Sequence, residues 1–363
     1  MNTFGKTIGL TIFGESHGLS IGAVLDGLPS GEAIDWDAVR TEMARRAPGK
    51  NKMSTARSEK DAFEVQSGFF NGYTTGTPLC AIIRNSDQHS RDYDQLRHIM
   101  RPGHADYSGK IRYGGFNDYR GGGHFSGRLT APLVFAGAVA SQILARHGIT
   151  VGSHILRLAG IADKPFDAAG ETAETLQALK KETLPVLDKA QAGPMEEKIL
   201  EAKNDLDSVG GVIECMVTGL PAGIGDPFFD SVESQLSHMM FSVPAVKGIE
   251  FGDGFALADL RGSQANDAFY YDGDAVKTRT NHNGGINGGI TNGMPVVFRL
   301  AVKPTASISQ KQETIDTDTK ENCDLVIKGR HDPCIVQRAI PVVEAAAAWA
   351  ILDVCLSEKG RCW

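Results

Sequence analysis

Apolar and polar residues first alternate over short distances and then settle into longer helical periods. The runs TIGLTIFGESHG and LSIGAVLDGLPSG are β-prone, broken by glycine and closed by a Pro-Ser-Gly turn, which predicts an opening hairpin. From Asp35, a good N-cap, Val39 and Met43 recur at helical spacing, and Pro48 sets the end of that helix. Apolar residues cover most sides of the segment 127–147, which predicts a helix inside the protein, entered through the glycine run 121–123. Its apolar part, 131–145, is interrupted by Ser141 and Gln142 and is shorter than the ~20 residues that span a bilayer. Segment 210–219, with GVIECMVTG, returns to strand character. DPFFDSVESQLSHMM (226–240) predicts an amphipathic helix, and MPVVFRLAVKP (294–304) a strand ending at Pro304. A last helix is expected over 339–356, where Ala345 to Ala348 permit close helix–helix approach. Residues 157–209 are rich in Ala, Glu and Lys, and predict peripheral helices. Strands and helices come in blocks without strict βαβ alternation, so the pattern favours α+β.

Composition narrows the function classes. With 363 residues and 41% hydrophobic content the chain builds a real core, and its length allows one large domain or two. A formal charge of −7 argues against a nucleic-acid or anionic-membrane surface, so any anion site must be local. Residues 1–18 carry no apolar run of the secretory type, which makes the cytoplasm the default location. The six cysteines form no C-x-x-C pair and are expected to be reduced and structural. The ten histidines show no H-E-x-x-H, so no metal site is expected.

The chemistry is expected where glycine meets charge. Of the 42 glycines, much of the excess over ordinary usage sits beside His, Arg, Lys or Asp, in GESHG (14–18), RPGHADY (101–107), YRGGGHFSGR (119–128), AVKGIEFGDGF (245–255), NHNGGINGGI (281–290) and KGRHDP (328–333), and KPTASI (303–308) joins these clusters. Glycine lets backbone approach a ligand closely, and the adjacent side chains suit anions or proton transfer. Arg45, Arg46, Lys50, Lys52 and Arg57 lie in one stretch, while Arg101, Arg120, Arg128, Lys303, Arg330 and Arg338 adjoin the other clusters. Such a concentration in an acidic chain suits phosphate or carboxylate, although any one of these cations alone is as well explained as solvated surface. His17 and His104, flanked by small residues, are general-acid candidates, and spacing alone does not separate that role from an ordinary hydrogen-bonded histidine. Walker, Rossmann and G-x-S-x-G patterns lack their required context.

Taken together and in order, GESHG, RPGHADY, DYRGGG, AVKGIEFGDGF, NHNGGINGG, KPTASI and GRHDPCIVQRAIPVVEA resemble chorismate synthase, from about Gly5 to Ala350. The resemblance implies a 1,4-anti elimination of phosphate from 5-enolpyruvylshikimate 3-phosphate, requiring reduced FMN without net redox change. It implies one domain with a β-α-α-β four-layer sandwich, two antiparallel sheets around a helical core, with 157–209 as a peripheral insertion, assembled as a homotetramer. By motif, His17 resembles the histidine that protonates the reduced flavin, and His104 the one acting at the substrate phosphate or as the second acid. Ser16 becomes a proton relay, and Asp332 the carboxylate that assists removal of the substrate proton. Flavin contacts are implied at His124, Phe125, Ser126, Gly288, Lys303, Pro304, Thr305, Ala306, Ser307 and Arg330, and substrate contacts at Arg46, Lys52, Arg128 and Arg330.

Two departures from the family pattern stand out. His124-Phe125-Ser126 occupies the place where many members have Arg-Ser-Ser, and Lys52 stands in a loop where many have several arginines, a point charge without the paired hydrogen bonds of a guanidinium. No dinucleotide fingerprint is visible, so NADPH is expected only as an indirect reductant, acting through an external flavin reductase. The alternative reading is a flavin- or phosphate-binding homologue that has lost catalysis. It is disfavoured because His17, His104, Asp332 and Arg330 all stand in their motifs.

Overall fold

The computed structural model describes residues 1–49, 52–54, 61–85, 96–327 and 331–357. The opening hairpin forms as expected: after β1 (Thr3–Phe4), β2 (Gly9–Gly14) pairs antiparallel with β3 (Ser20–Asp26), Gly9 opposite Asp26 and Gly14 opposite Ile21. Helix α1 (Trp36–Arg46) starts where the Asp35 carboxylate accepts from the amides of Asp37 and Ala38, buries Val39 and Met43, and ends before Pro48. Next come β4 (Phe63–Ser67), a short hairpin of β5 (Phe69–Phe70) and β6 (Tyr73–Thr74), and β7 (Leu79–Arg84). The first sheet is antiparallel in the order β1-β2-β3-β7-β4.

Helices α2 (Asp106–Arg112) and α3 (Thr130–Arg146) lead to β8 (Thr150–Leu158), β9 (Ile161–Ala162), α4 (Ala173–Leu179), α5 (Ala192–Asn204) and β10 (Gly211–Thr218). After α6 (Val232–Met240), β11 (Val246–Phe251) and the short α7 (Gly262–Ala265), two hairpins follow, β12 (Phe269–Asp272) with β13 (Ala275–Thr278) and β14 (Ile286–Asn287) with β15 (Ile290–Thr291). The chain closes with β16 (Val296–Val302), the hairpin β17 (Lys311–Asp316) with β18 (Glu321–Val326), and α8 (Val336–Ser357). The second sheet, also antiparallel, runs β11-β16-β10-β8-β9. Strand β10 shows why it lies deep in the fold. Ile213, Cys215 and Val217 face the main core, whereas Met216 on the other face packs with Phe166, Leu176 and Leu179. Residues 166–179 therefore cover the outer face of this sheet, whereas Leu184, Val186 and the α5 residues Met195 and Ile199 join the main core, so the 157–209 segment is only partly peripheral.

The sheets are joined through two helices. Helix α3 packs on β2, β3 and β7, α8 packs on β8 and β10, and the two helices pack on each other. Gly137 makes that last contact possible, since a Cβ there would lie 2.2 Å from the Ala345 Cα. Both helical segments are long and apolar enough to cross a membrane, yet 83% and 94% of their apolar windows are buried inside the protein, so they are core helices. At the far end of α8, the buried Asp353 carboxylate accepts the backbone amides of Lys6, Thr7 and Ile8, at 2.8–2.9 Å for the shortest contact of each.

One expected helix is shorter than its sequence pattern. Residues 226–240 contain a 3-10 turn over Phe228–Asp230 and a helix only from Val232, because the Ser231 hydroxyl caps that helix by accepting from Ser234 N. Phe228 lies at φ 65°, outside helical geometry, and it and Phe229 are 85% and 90% exposed. Gly137→Ala tests the core contact. The added methyl should cost about 2 kcal/mol or more, read as a lower thermal unfolding midpoint, and an unchanged midpoint would show that the two helices can separate freely.

Candidate active site

A cavity of about 1120 Å³ opens where the first turns of α3 and α8 come together. Leu129, Thr130 and Leu133 line it from one helix, and Ile335, Arg338, Ala339 and Val342 from the other. The amide-rich, positive ends of two long helices thus border the cavity, which favours bound anions. Leu10 and Ile12 of β2, Met239, and Val243 to Lys247 complete a largely apolar wall.

The glycine run forms part of this lining. Gly121, Gly122 and Gly123 all have positive φ (59°, 84° and 55°), and the chain kinks through them. A Cβ on Gly121 would fall 2.2 Å from the His17 ring and 2.9 Å from Ser16 Oγ. Both side chains are therefore packed directly behind Gly121, almost fully buried, and it is Gly121 that meets the cavity. The Ser16 hydroxyl has no hydrogen-bond partner among the described residues. His124 lines the cavity and donates from Nδ1 to Gly14 O at 2.8 Å, which leaves Nε2 as its acceptor.

His104 stands on the wall within a polar cluster. Its Nδ1 is 2.6 Å from Asp106 Oδ1, and Arg101 grips the same carboxylate through Nε and Nη2 at 2.7 and 2.8 Å while donating from Nη1 to Ser307 Oγ at 3.1 Å. Burial would raise the Asp106 carboxyl, but its hydrogen bonds to Arg101 and His104, helped by their charges, outweigh that and hold it well below the usual carboxylate range. His331 also lines the cavity. Burial, reinforced by the nearby Arg101 charge, pushes its imidazole below the ordinary value, and its Nε2 has no partner among the described residues.

The buried cations are held by the protein's own acids. Arg46 donates to Asp61 Oδ2 at 2.8 Å, Thr130 Oγ1 at 3.1 Å and Gly127 O at 2.6 Å, and Arg128 donates to the other Asp61 oxygen. Burial would raise the Asp61 carboxyl, but these two guanidiniums hold it below its ordinary value. Arg338 is paired with Asp332, and Lys303 donates to Gly103 O.

Of the residues expected at the site, His104, His124, Phe125, Ser126, Lys303 to Ser307, Arg46, Arg128 and Asp332 all line this one cavity. Lys52 does not. It is exposed and pairs at 2.7 Å with Glu196 of α5. Gly288 lies on the exposed turn between β14 and β15, outside the lining. Arg45 points inward to Glu344, and Arg120 pairs with Asp118. Arg330, Lys50 and Arg57 lie outside the described residues. Sequence reasoning missed Asp61 and Asp106. Asp106 had a signal, since it follows His104 by two residues in RPGHADY, whereas nothing near Asp61 in the sequence marks it as the partner of Arg128.

Fold and cavity together define an α+β protein whose cation-lined cavity lies beside an apolar wall. A family model for chorismate synthase matches residues 8–356. The chain is 45% identical over 355 residues to a chorismate synthase of Dehalococcoides mccartyi, covering 98% of this chain and 96% of that protein. It is 46% identical over 360 residues to one of Chitinophaga pinensis, covering 99% and 98%. A crystal structure of chorismate synthase aligns with a TM-score of 0.77 at 28% identity, covering 99% of this chain and 95% of that one. The chain belongs to the chorismate synthase family, a family of lyases.

Acid stability checks the buried pairing. Because the native Asp61 carboxyl sits below its unfolded value of about 3.9, its contribution is complete above that pH and is lost as the pH falls through the lower native value. Asp61→Asn should therefore be less stable at pH 7 by about 3 kcal/mol and lose stability less steeply below about pH 4. Urea midpoints at stepped pH measure both, and equally steep curves would show that Asp61 is not paired in solution.

Proposed function

We propose that this cavity takes 5-enolpyruvylshikimate 3-phosphate together with reduced FMN, and that the protein eliminates phosphate to give chorismate without net redox change. The observation that carries the reading is the convergence of Arg46, Arg101, Arg128, Lys303 and Arg338 with the first turns of α3 and α8 on one apolar-walled space. A substrate with a phosphate and two carboxylates matches that charge, and guanidiniums fixed by Asp61, Asp106 and Asp332 are oriented before it arrives.

The residues present also suit the flavin. The 303–307 loop lines the cavity, its Thr305 Oγ1 is buried without a partner among the described residues, and His124 offers Nε2 from the glycine run. When bound beside these residues, reduced flavin would supply the electron density that the breaking C–O bond needs and a site for the substrate proton. Within the chain, Asp332, accepting from Arg338, assists that proton's departure. His104 serves the leaving phosphate, and His17 with Ser16 supplies protons past Gly121. Arg46 and Arg128 hold the substrate's anions, and Arg330 is assigned to flavin and substrate. Lys52, paired with Glu196, would have to leave that partner to join them. Gly288, on an exposed turn outside the lining, is not brought to the flavin within this chain.

This reading takes the chain as one cytoplasmic domain and as a homotetramer, with 157–209 as an insertion and reduced flavin delivered by an external reductase. The packing of α3 on one sheet and α8 on the other supports a four-layer β-α-α-β sandwich. The exposure of Phe228, Phe229 and Phe255 supports subunit contacts that cover apolar surface.

Under anaerobic conditions, dithionite-reduced FMN and substrate should give phosphate and chorismate in equal amounts. Absence of product with both ligands bound would favour an inactive binding protein. NADPH in place of dithionite should give no turnover unless a reductase is added, and prompt turnover would refute the external source. His17→Ala should lower turnover by about 100-fold or more while FMN affinity is kept, and an unchanged rate would remove His17 from proton transfer.

A further inference from the structure

The cluster around His104 contains a carboxylate whose part so far is only to orient Arg101. We propose that Asp106 is a positioning residue that keeps the His104 proton on Nδ1, so that Nε2 is the nitrogen at which a proton is gained and lost. The inference rests on the reading of His104 as the group serving the leaving phosphate.

The argument begins with donors and acceptors. Asp106 Oδ1 lies 2.6 Å from His104 Nδ1, and Arg101 Nη2 lies 3.0 Å from the same nitrogen. If Nδ1 were unprotonated, its lone pair would face a carboxylate oxygen at hydrogen-bond distance, which is repulsive. A proton on Nδ1 turns the contact into a short charge-assisted bond. Arg101 then does not donate to Nδ1, and it has no need to, since its other hydrogen bonds go to both Asp106 oxygens and to Ser307 Oγ.

The carboxylate is itself fixed. Its Oδ2 accepts from the Arg101 backbone amide at 3.1 Å and from Arg101 Nε at 2.7 Å, so it cannot rotate away from the ring without losing both. Held well below the usual carboxylate range, Asp106 stays ionised and does not take the proton from His104. The opposite edge of the ring is left accessible by glycine: a Cβ on Gly122 would lie 3.3 Å from Nε2 and 3.2 Å from Cε1. In the proton transfer, the imidazolium gives its Nε2 proton to a phosphate oxygen as the C–O bond breaks. It becomes the neutral Nδ1–H imidazole, Asp106 remains a carboxylate, and solvent later returns the proton to Nε2.

Asp106→Asn separates position from charge. The amide oxygen best replaces Oδ2, where two Arg101 donors converge, and this turns the amide NH₂ toward Nδ1 and makes that nitrogen an acceptor. With ¹⁵N-labelled histidine at pH ~9, above the usual imidazole range, the His104 signals, assigned by their loss in His104→Gln, should report Nδ1–H in the unaltered protein and Nε2–H in Asp106→Asn. Turnover should fall by about 100-fold or more, with KM for the substrate within about threefold, and Asp106→Glu should recover part of the rate. Nε2–H in the unaltered protein overturns the proposal, and so does Nδ1–H in a folded Asp106→Asn. If that variant does not fold, the tautomer of the unaltered protein decides alone. Full turnover in His104→Gln would instead refute the role of His104, and the proposal would fall with it, for a reason the tautomer signals distinguish.

Discussion

The close approach of α3 to α8 at Gly137 and Ala345 is the constraint on which the rest of the molecule depends. Helix α3 packs mainly on strands of the first sheet and α8 on β8 and β10 of the second, so the separation of those strands follows in part from the spacing of the two helices. Their first turns also border the cavity, which makes its shape a consequence of core packing. Small residues are what allow this. With Gly137 facing Ala345, the helices meet backbone to backbone, and dispersion contacts along Ala345 to Ala348 replace the interlocking of larger side chains.

A second constraint is electrostatic. Arg46, Arg101 and Arg128 are all at most 7% exposed, and a guanidinium cannot lose its charge at accessible pH. Burial of so many cations is tolerable only with carboxylates beside them, and the chain supplies Asp61 to two of these arginines and Asp106 to the third, with Asp332 for Arg338. In the proposed reading the same pairs serve the reaction, because a guanidinium already aimed by its acid need not reorganise when an anion enters. The acids that stabilise the fold also temper the positive potential of the cavity.

Much of this was legible in the residues. Helices α1, α3 and α8 and strands β2, β3, β10 and β16 declared themselves because each has a period, a cap or a proline stop that acts within a few residues. Strands β4, β7, β8 and β11 did not, because their side chains alternate only with respect to neighbours far away in the chain. Phe228 and Phe229 were misread as helical, since their apolar character mimics a buried helix face although they lie in an exposed turn.

For the site, the sequence by itself determined which chemistry is available: imidazoles and guanidiniums set among glycines, in an order that marks the family. The tertiary structure decided which of them come together. It brought His104, Arg46, Arg128 and Asp332 to one cavity, placed His17 behind Gly121, and left Lys52 and Gly288 elsewhere. It also chose the partners, joining Asp61 to Arg128 across 67 residues and Arg101 to Ser307 across 206. Local sequence sets backbone conformation through sterics and hydrogen bonds a few residues long, whereas the pairing of buried charges is fixed only when packing removes water and brings distant acids within reach of the cations.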